Sequence, residues 1–448
     1  EEYLRVMRDE RAGKLARDWG DGAGMTEAEA AALREFREEM KKLERIPAKE
    51  YREYAELTAR SAGIWAEARK NRDFGAFAPT LRQVLDYQKR FASYQAEPGQ
   101  KLYDVMLDSY EKGFDMESLD RFFRQLKTEL VPFLRQVMDC GRQPDDAFLE
   151  GDYPKEKQEA FAGFLARYVG FDFDRGVMAV SAHPFTTNLH NHDVRITNAY
   201  TRRVDDAIFS VIHESGHGIY EQGIPDALTL TPAGQGASMG MHESQSRFFE
   251  NIIGRSRAFW VPLYGRLQET FPEQLKTVSL DAFVRAVNKA RPGLIRIQAD
   301  ELTYSLHIMV RYEVEKLLVE QGMDVRELPE VWAEKYREYL GVCPENDGEG
   351  VLQDIHWSQG SFGYFPSYAL GSAFGAQMYE TMKTQMDVEG LLEQGNPAPI
   401  REYLREHVHR YGKMKTSRQI LKDMTGKEFD AGCYIRYLKE KYGMLYGI

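Results

Sequence analysis

Cysteine is nearly missing from this chain: 448 residues hold three, Cys140, Cys343 and Cys433, and no two of them stand at metal-ligand spacing. So odd and sparse a count excludes a disulfide framework and fits a reducing compartment. No apolar run approaches the ~18–20 residues of a membrane-spanning helix. The opening EEYLRVMRDERAG also lacks the apolar stretch of a secretory leader. The cytoplasm is the expected location. Positive charge is in deficit, with 59 Lys and Arg against 70 Asp and Glu for a net −11. A nucleic-acid or anionic-membrane footprint needs the opposite sign, so neither partner is expected. Low-complexity linkers and internal repeats are absent as well. The length would allow about three domains, but residues 1–448 read as a single helical domain, in one body or two lobes.

What is present is helical periodicity. In FFRQLKTELVPFLRQVM (122–138), apolar side chains fall at 122, 123, 126, 130, 133, 134 and 137. In ELTYSLHIMVRYEVEKLLVEQ (301–321) they fall at 302, 306, 309, 310, 314, 317 and 318, with Gly322 as the stop. Residues 26–93 are dense in Ala, Glu, Lys and Arg, and their charge runs read as solvated helix faces. Loop signals lie at EPGQ (97–100), 141–154, 223–236, CPENDGEG (343–350) and QGNPAP (394–399). RGVMAVSA (175–182) and DVRITNAY (193–200) are short and β-branched, and they flank HPFTTNLHNH. The expected class is mostly α with a small β element, whose exposed edge can hold an extended peptide by main-chain hydrogen bonds.

Directly after that element comes VIHESGHGIYEQG (211–223), in which His213 and His217 bracket Glu214 as H-E-x-x-H. On a helix, side chains four apart share a face, so the two imidazoles can be ligands of one divalent metal. Such a metal lowers the pKa of a bound water toward ~7, and a glutamate beside it can take the proton as general base. A structural zinc is closed by four protein ligands and needs no base, so Glu214 argues for catalysis. Gly216 and Gly218 interrupt the helix at roughly 1 kcal/mol each against alanine. The expectation is that they clear space for another helix or a peptide to come close to the metal. The third ligand is sought in GASMGMHESQSRFFENIIG (236–254). Glu243, 26 residues past His217, is favoured by spacing, with His242 and Glu250 as competitors. Glu250 also suits accepting the second N–H of a ligand imidazole, whereas Glu221 is expected to lie too far along the first helix.

These blocks resemble the carboxypeptidase Taq family of metallocarboxypeptidases. HPF (183–185), DVRIT (193–197), HESGH (213–217), HESQ (242–245), IRIQAD (295–300) and GVLQDIHW (350–357) occur in the family's order, followed by GYFPSYALG (363–371). The resemblance implies His213, His217 and Glu243 as ligands of one divalent ion per chain, zinc expected and cobalt able to serve, and Glu214 as the base. It implies a mostly α-helical fold with a deep substrate groove, and a homodimer. The activity implied is removal of single residues from peptide C-termini with broad specificity, proline being disfavoured. An oligoendopeptidase or dipeptidase would use the same chemistry, and a non-catalytic metal-binding helical protein is the remaining alternative. Gln298 within IRIQAD, and ITNAY in place of a more usual threonine-arginine continuation, depart from the pattern and bear on substrate preference. The chain also starts later than a typical member, so helices that would help cover the groove are expected to be missing.

A carboxypeptidase must also stabilise an oxyanion and capture a terminal carboxylate. His356, Tyr364 and Tyr368 in DIHWSQGSFGYFPSY (354–368) are the candidate oxyanion donors, since related helical zinc peptidases use a histidine and tyrosines from a comparable glycine-rich stretch. Arg296 and Arg195 are the candidates for bidentate carboxylate capture, with an internal ion pair as the alternative for Arg195. His183 is a further candidate substrate contact. His190 and His192 are expected to be structural and His307 either structural or groove-lining. His407 and His409 are expected on the surface.

Overall fold

Several helices in this protein start where a short polar side chain can satisfy the first free N–H groups. Thr26 and Glu29 form a reciprocal capping box that opens Glu27–Glu44. Asp73 caps Phe74–Gln95, Ser238 caps Met239–Arg247, and Asp300 caps Glu301–Glu320. The computed structural model describes residues 2–20 and 24–448. Over 26–93 it has three helices, Glu27–Glu44, Ala48–Asn71 and Phe74–Gln95, as the composition predicts. The 122–138 stripe lies within Met116–Asp139. Gly322, at φ +69°, follows the Glu301–Glu320 helix as expected of a stop in the left-handed region.

Backbone packing divides the chain into two compact units, each made of two separate stretches. The first is Glu1–Val131 with Arg291–Ala369, and the second is Pro132–Ala290 with Leu370–Ile448. In the first unit the Glu301–Glu320 helix departs from the expected one-sided stripe, because nearly every face is buried. Leu302, Leu306, Ile308 and Val310 are fully enclosed, but so are His307, Arg311 and Glu315, which recur every four residues. A buried polar row is tolerated only when each member is paired. Here Arg311 donates to the His307 carbonyl at 2.8 Å and Glu315 accepts from Tyr103 Oη at 2.7 Å.

The second unit holds the fold's sheet, β1 (Gly176–Val180), β2 (Thr186–His190) and β3 (Asp193–Asn198), in the order β1-β3-β2. β1 runs parallel to the central β3, and β2 antiparallel to it. β1 and β3 match the two predicted strands, whereas β2 falls in the segment between them. TTNLH carries polar residues on the face that a buried strand would make apolar, so its alternation was hidden. Val194 and Ile196 of β3 are fully buried. They pack on the helix Val204–Gly223, which carries the H-E-x-x-H pattern.

Candidate metal centre

Several elements of the second unit pack on the Val204–Gly223 helix. The Met239–Arg247 helix crosses it at Gly216, where an added Cβ would lie 2.7 Å from Ser246 Cα and 2.8 Å from the Gln245 carbonyl oxygen. That contact places Glu243 beside the histidines. Gly218 does something else: it makes room for the Phe171 ring and for Ile196 of β3. Gly371, in the Pro366–Met382 helix, backs Glu243 from behind, since a Cβ there would be 2.7 Å from Glu243 Cβ.

His213, His217 and Glu243 each offer one ligand atom, all within 4.8 Å of one another, and are the only such trio among the described residues. Glu243 Oε2 lies 3.9 Å from His213 Nε2 and 3.6 Å from His217 Nε2. Zinc–ligand bonds of ~2.0–2.2 Å fit between atoms so spaced. Both Nδ1 atoms face other partners, so both Nε2 atoms are left for an ion. His213 Nδ1 meets Glu250 Oε2 at 2.8 Å, the role foreseen for Glu250 as the alternative to direct ligation. His217 Nδ1 meets His242 Nδ1 at 2.7 Å, and His242 Nε2 meets Glu221 Oε1 at 2.6 Å. With both of its ring nitrogens engaged, His242 has none free for the metal. Glu221 lies beyond the trio, as expected, yet it is connected to it through His242.

Glu214 sits next to His213 with its Oε2 accepting from Thr186 Oγ1 of β2 at 2.6 Å. Burial lifts the Glu214 carboxyl above its ordinary range, against the opposing pull of His213 and Thr186. Burial also opposes charge on His213, but the Glu250, Glu243 and Glu214 carboxylates outweigh it and raise that ring. Glu250 is buried, yet Arg247, His213 and Arg255 hold it well below the usual carboxylate range. Arg247 Nε also donates to Glu243 Oε1 at 2.7 Å, fixing the carboxylate so that Oε2 faces the rings.

The first unit gathers a second set. Arg296 donates from Nε and Nη2 to Asp354 Oδ1 at 3.0 and 2.8 Å and from Nη1 to Tyr304 Oη at 3.2 Å. Its guanidinium lies 4.7 Å from the Tyr368 ring. His356 Nε2 is 3.1 Å from Tyr368 Oη, and its ring is 5.3 Å from that of Tyr364. Burial pushes the His356 ring down to about 4, so it is neutral near pH 7. Arg296, His356, Tyr364 and Tyr368 therefore stand together, with Arg311 gripping the other oxygen of Asp354 at 2.8 Å.

The family model for the carboxypeptidase Taq (M32) metallopeptidases matches residues 1–442 of the 448. The chain belongs to the carboxypeptidase Taq family. Carboxypeptidase 1 of Bacillus subtilis (strain 168) is 44% identical over 427 residues, covering 94% of this chain and 84% of the relative. Thermostable carboxypeptidase 1 of Thermus thermophilus is 38% identical, covering 93% and 84%. The M32 carboxypeptidase structure from Deinococcus radiodurans R1 superposes with a TM-score of 0.95 at 37% identity, over 99% of this chain and 90% of that one. Family membership makes the chain a hydrolase of the metallocarboxypeptidase class that requires a divalent metal. No described helix is long and apolar enough to cross a membrane.

Other predicted residues of this family member make contacts of their own. Arg195 is on β3, paired through Nε and Nη2 with Asp193 at 2.8 and 2.9 Å. Side chains alternate along a strand, so Arg195 projects from the sheet face opposite to Val194 and Ile196. His183 is exposed between β1 and β2, its carbonyl accepting from Ser181 Oγ at 2.6 Å. His190 Nδ1 accepts from the His192 N–H at 3.1 Å, and His192 Nε2 faces Asp226 at 3.0 Å. His307 is fully buried against Tyr336 Oη at 2.9 Å. His407 is half-buried, but His409, expected on the surface, is fully enclosed with Nε2 2.9 Å from Gln245 Oε1. The charged sequence around it hid a short irregular turn, His409–Met414, that folds inward against Gly223. Sequence reasoning also overlooked Thr186, Asp354 and Arg247. Only Arg247 carried a local signal, standing four residues after Glu243 on the same helix face.

Proposed function

We propose that this chain removes single residues from the C-termini of peptides, with broad side-chain tolerance and proline disfavoured. One divalent ion per chain would be held by His213 Nε2, His217 Nε2 and Glu243 Oε2. The observation that carries this reading is the pairing of both Nδ1 atoms, which leaves both Nε2 atoms directed at one carboxylate oxygen. Such an ion, zinc expected and cobalt able to serve, supplies Lewis acidity toward a water and a carbonyl oxygen. Glu214 takes the water's proton and passes it to the departing amine. Thr186 keeps the carboxylate turned toward the task.

His356, Tyr364 and Tyr368 are the proposed donors to the oxyanion, with the neutral His356 ring as an N–H source. Arg296, Arg195 and His183 are the proposed contacts to the peptide terminus. Arg296 is only 6% exposed and bonded to Asp354, while Arg195 is exposed and bonded to Asp193, so capture by either requires an ion pair to open. β2 lies at an edge of the sheet, which lets an extended peptide add to it by main-chain hydrogen bonds. A homodimer in the cytoplasm belongs to the same reading, and light scattering in solution decides the dimer.

The deciding experiment compares one peptide with a free and with an amidated C-terminus, in the presence of zinc or cobalt, by mass spectrometry. Loss of single residues from the free peptide alone is expected. Equal cleavage of both would move the assignment to an oligoendopeptidase. The variant E214Q should hold metal at wild-type stoichiometry while hydrolysis falls about 10²–10⁴-fold, and full activity in it would remove Glu214 from the mechanism.

A further inference from the structure

A line of polar contacts runs away from the metal trio: His217, His242, Glu221, Asn188. His217 Nδ1 and His242 Nδ1 are 2.7 Å apart, His242 Nε2 and Glu221 Oε1 are 2.6 Å apart, and Asn188 Nδ2 donates to Glu221 Oε2 at 2.8 Å. Two facing imidazole nitrogens can share a hydrogen bond only when one carries a proton and the other does not. The far end of the line decides which. A carboxylate accepts and cannot donate, so Glu221 draws the His242 proton to Nε2 and leaves His242 Nδ1 a bare acceptor. His217 must then carry its own proton on Nδ1, and its Nε2, facing Glu243 Oε2, is left bare.

We propose that Glu221 and His242 act as a positioning pair that sets the tautomer and ring orientation in which His217 binds the metal. The proposal rests on the reading of His213, His217 and Glu243 as ligands. Three further features show the line to be built into the fold. A Cβ on Gly236 would lie 2.8 Å from His242 Cδ2, so the ring occupies space that only glycine leaves. His242 also packs on Tyr220, with ring centres 5.0 Å apart. Asn188 and Thr186 are two residues apart on β2, so they share a face: one steadies Glu221 and the other Glu214. The two ligand rings are thus held by different chemistry, His213 by a carboxylate between two arginines and His217 by a second imidazole. Partners of this kind commonly set metal affinity as well as geometry.

The test measures zinc affinity of the full-length protein by competition with a fluorescent chelator, with melting of the metal-free protein recorded alongside. H242L and E221A should each weaken zinc binding about 10–100-fold. H242N places a carbonyl oxygen near the position of Nδ1, where it can accept from His217, and should retain more affinity than H242L. In ¹⁵N-histidine-labelled metal-free protein, the His217 signature of a proton on Nδ1 should be present in wild type and lost in E221A. Unchanged zinc affinity in both H242L and E221A would overturn the proposal, as would H242N performing no better than H242L. H217A and E243A are run in parallel and should lose binding far more severely. If those two retain wild-type affinity, the ligand assignment itself fails, a result distinct from failure of the positioning pair alone.

Discussion

At Gly216 and Gly218 the same residue type, two positions apart, answers two different demands. Gly216 faces backbone atoms of the crossing helix, which cannot move aside without shifting Glu243. Gly218 faces mainly the Phe171 ring, whose atoms lie 2.6–2.8 Å from an added Cβ and can rotate. G216A should therefore destabilise the protein by about 1–3 kcal/mol and weaken zinc binding, whereas G218A should lower the melting temperature less and spare the metal. Calorimetry with parallel zinc titration checks the order of the two, and equal effects on the metal would count against the helix-crossing argument. Glu315 is the other telling residue, invisible as chemistry in its sequence context. It is fully buried and accepts from Tyr103 Oη, Trp357 Nε1 and the Gly363 N–H at 2.7–2.8 Å. Burial pushes its carboxyl up to about 7 in spite of those donors. The folded state thus keeps a proton that the unfolded chain releases near pH 4.5, and stability drains away as pH rises between these values and levels off above about 7. The melting temperature of wild type relative to E315Q should accordingly fall from pH 5 to pH 8, and parallel curves across that range would contradict the assignment.

Among the elements, β2 and the segment joined to Glu315 do the most positioning for their size. β2 presents Thr186 to Glu214 and Asn188 to Glu221, so a short strand steadies two acidic residues of the Val204–Gly223 helix. T186V keeps the side-chain shape but removes the donor. It should lower kcat with metal content unchanged, and N188L should instead weaken zinc binding while leaving the Thr186 contact intact. Steady-state kinetics paired with metal analysis separates the two outcomes, and a common effect would mean that β2 acts only as packing. In the first unit, Glu315 ties Trp357 and the Gly363 N–H to the Glu301–Glu320 helix, on either side of the turn between His356 and Tyr364. Gly363 sits at φ +85° with an added Cβ 2.7 Å from the Met106 carbonyl carbon, so glycine is required there on both counts.

For the whole molecule, metal binding and folding are linked. An ion that binds only the folded chain stabilises it by about 2.7 kcal/mol at a hundredfold excess over Kd. Zinc or cobalt should raise the melting temperature of wild type and leave H213A nearly unmoved, and a similar rise in both would place the ion elsewhere. Each of the two units is assembled from separate stretches of chain, which is why no linker marks a boundary in the sequence. The metal trio falls wholly in one unit, and Arg296, His356, Tyr364 and Tyr368 wholly in the other.

Much of the helical framework and the H-E-x-x-H pair were legible because they depend on neighbours within a turn or two. Helix periodicity, caps and an i, i+4 imidazole pair are all short-range properties of the chain. Spacing alone left Glu243, His242 and Glu250 in competition, because a loop of that length can return several residues to the first helix. Tertiary packing brought Glu243 to the two Nε2 atoms, put Glu250 behind His213 and threaded Glu221 to His217 through His242. β2 and the burial of His409 were likewise decided by contacts between distant segments, where a polar side chain is stabilised by a partner that no local pattern names. Sequence by itself determined which residues could do the chemistry; the tertiary structure decided which of their atoms face one another, because hydrogen-bond direction and close approach exist only between packed elements.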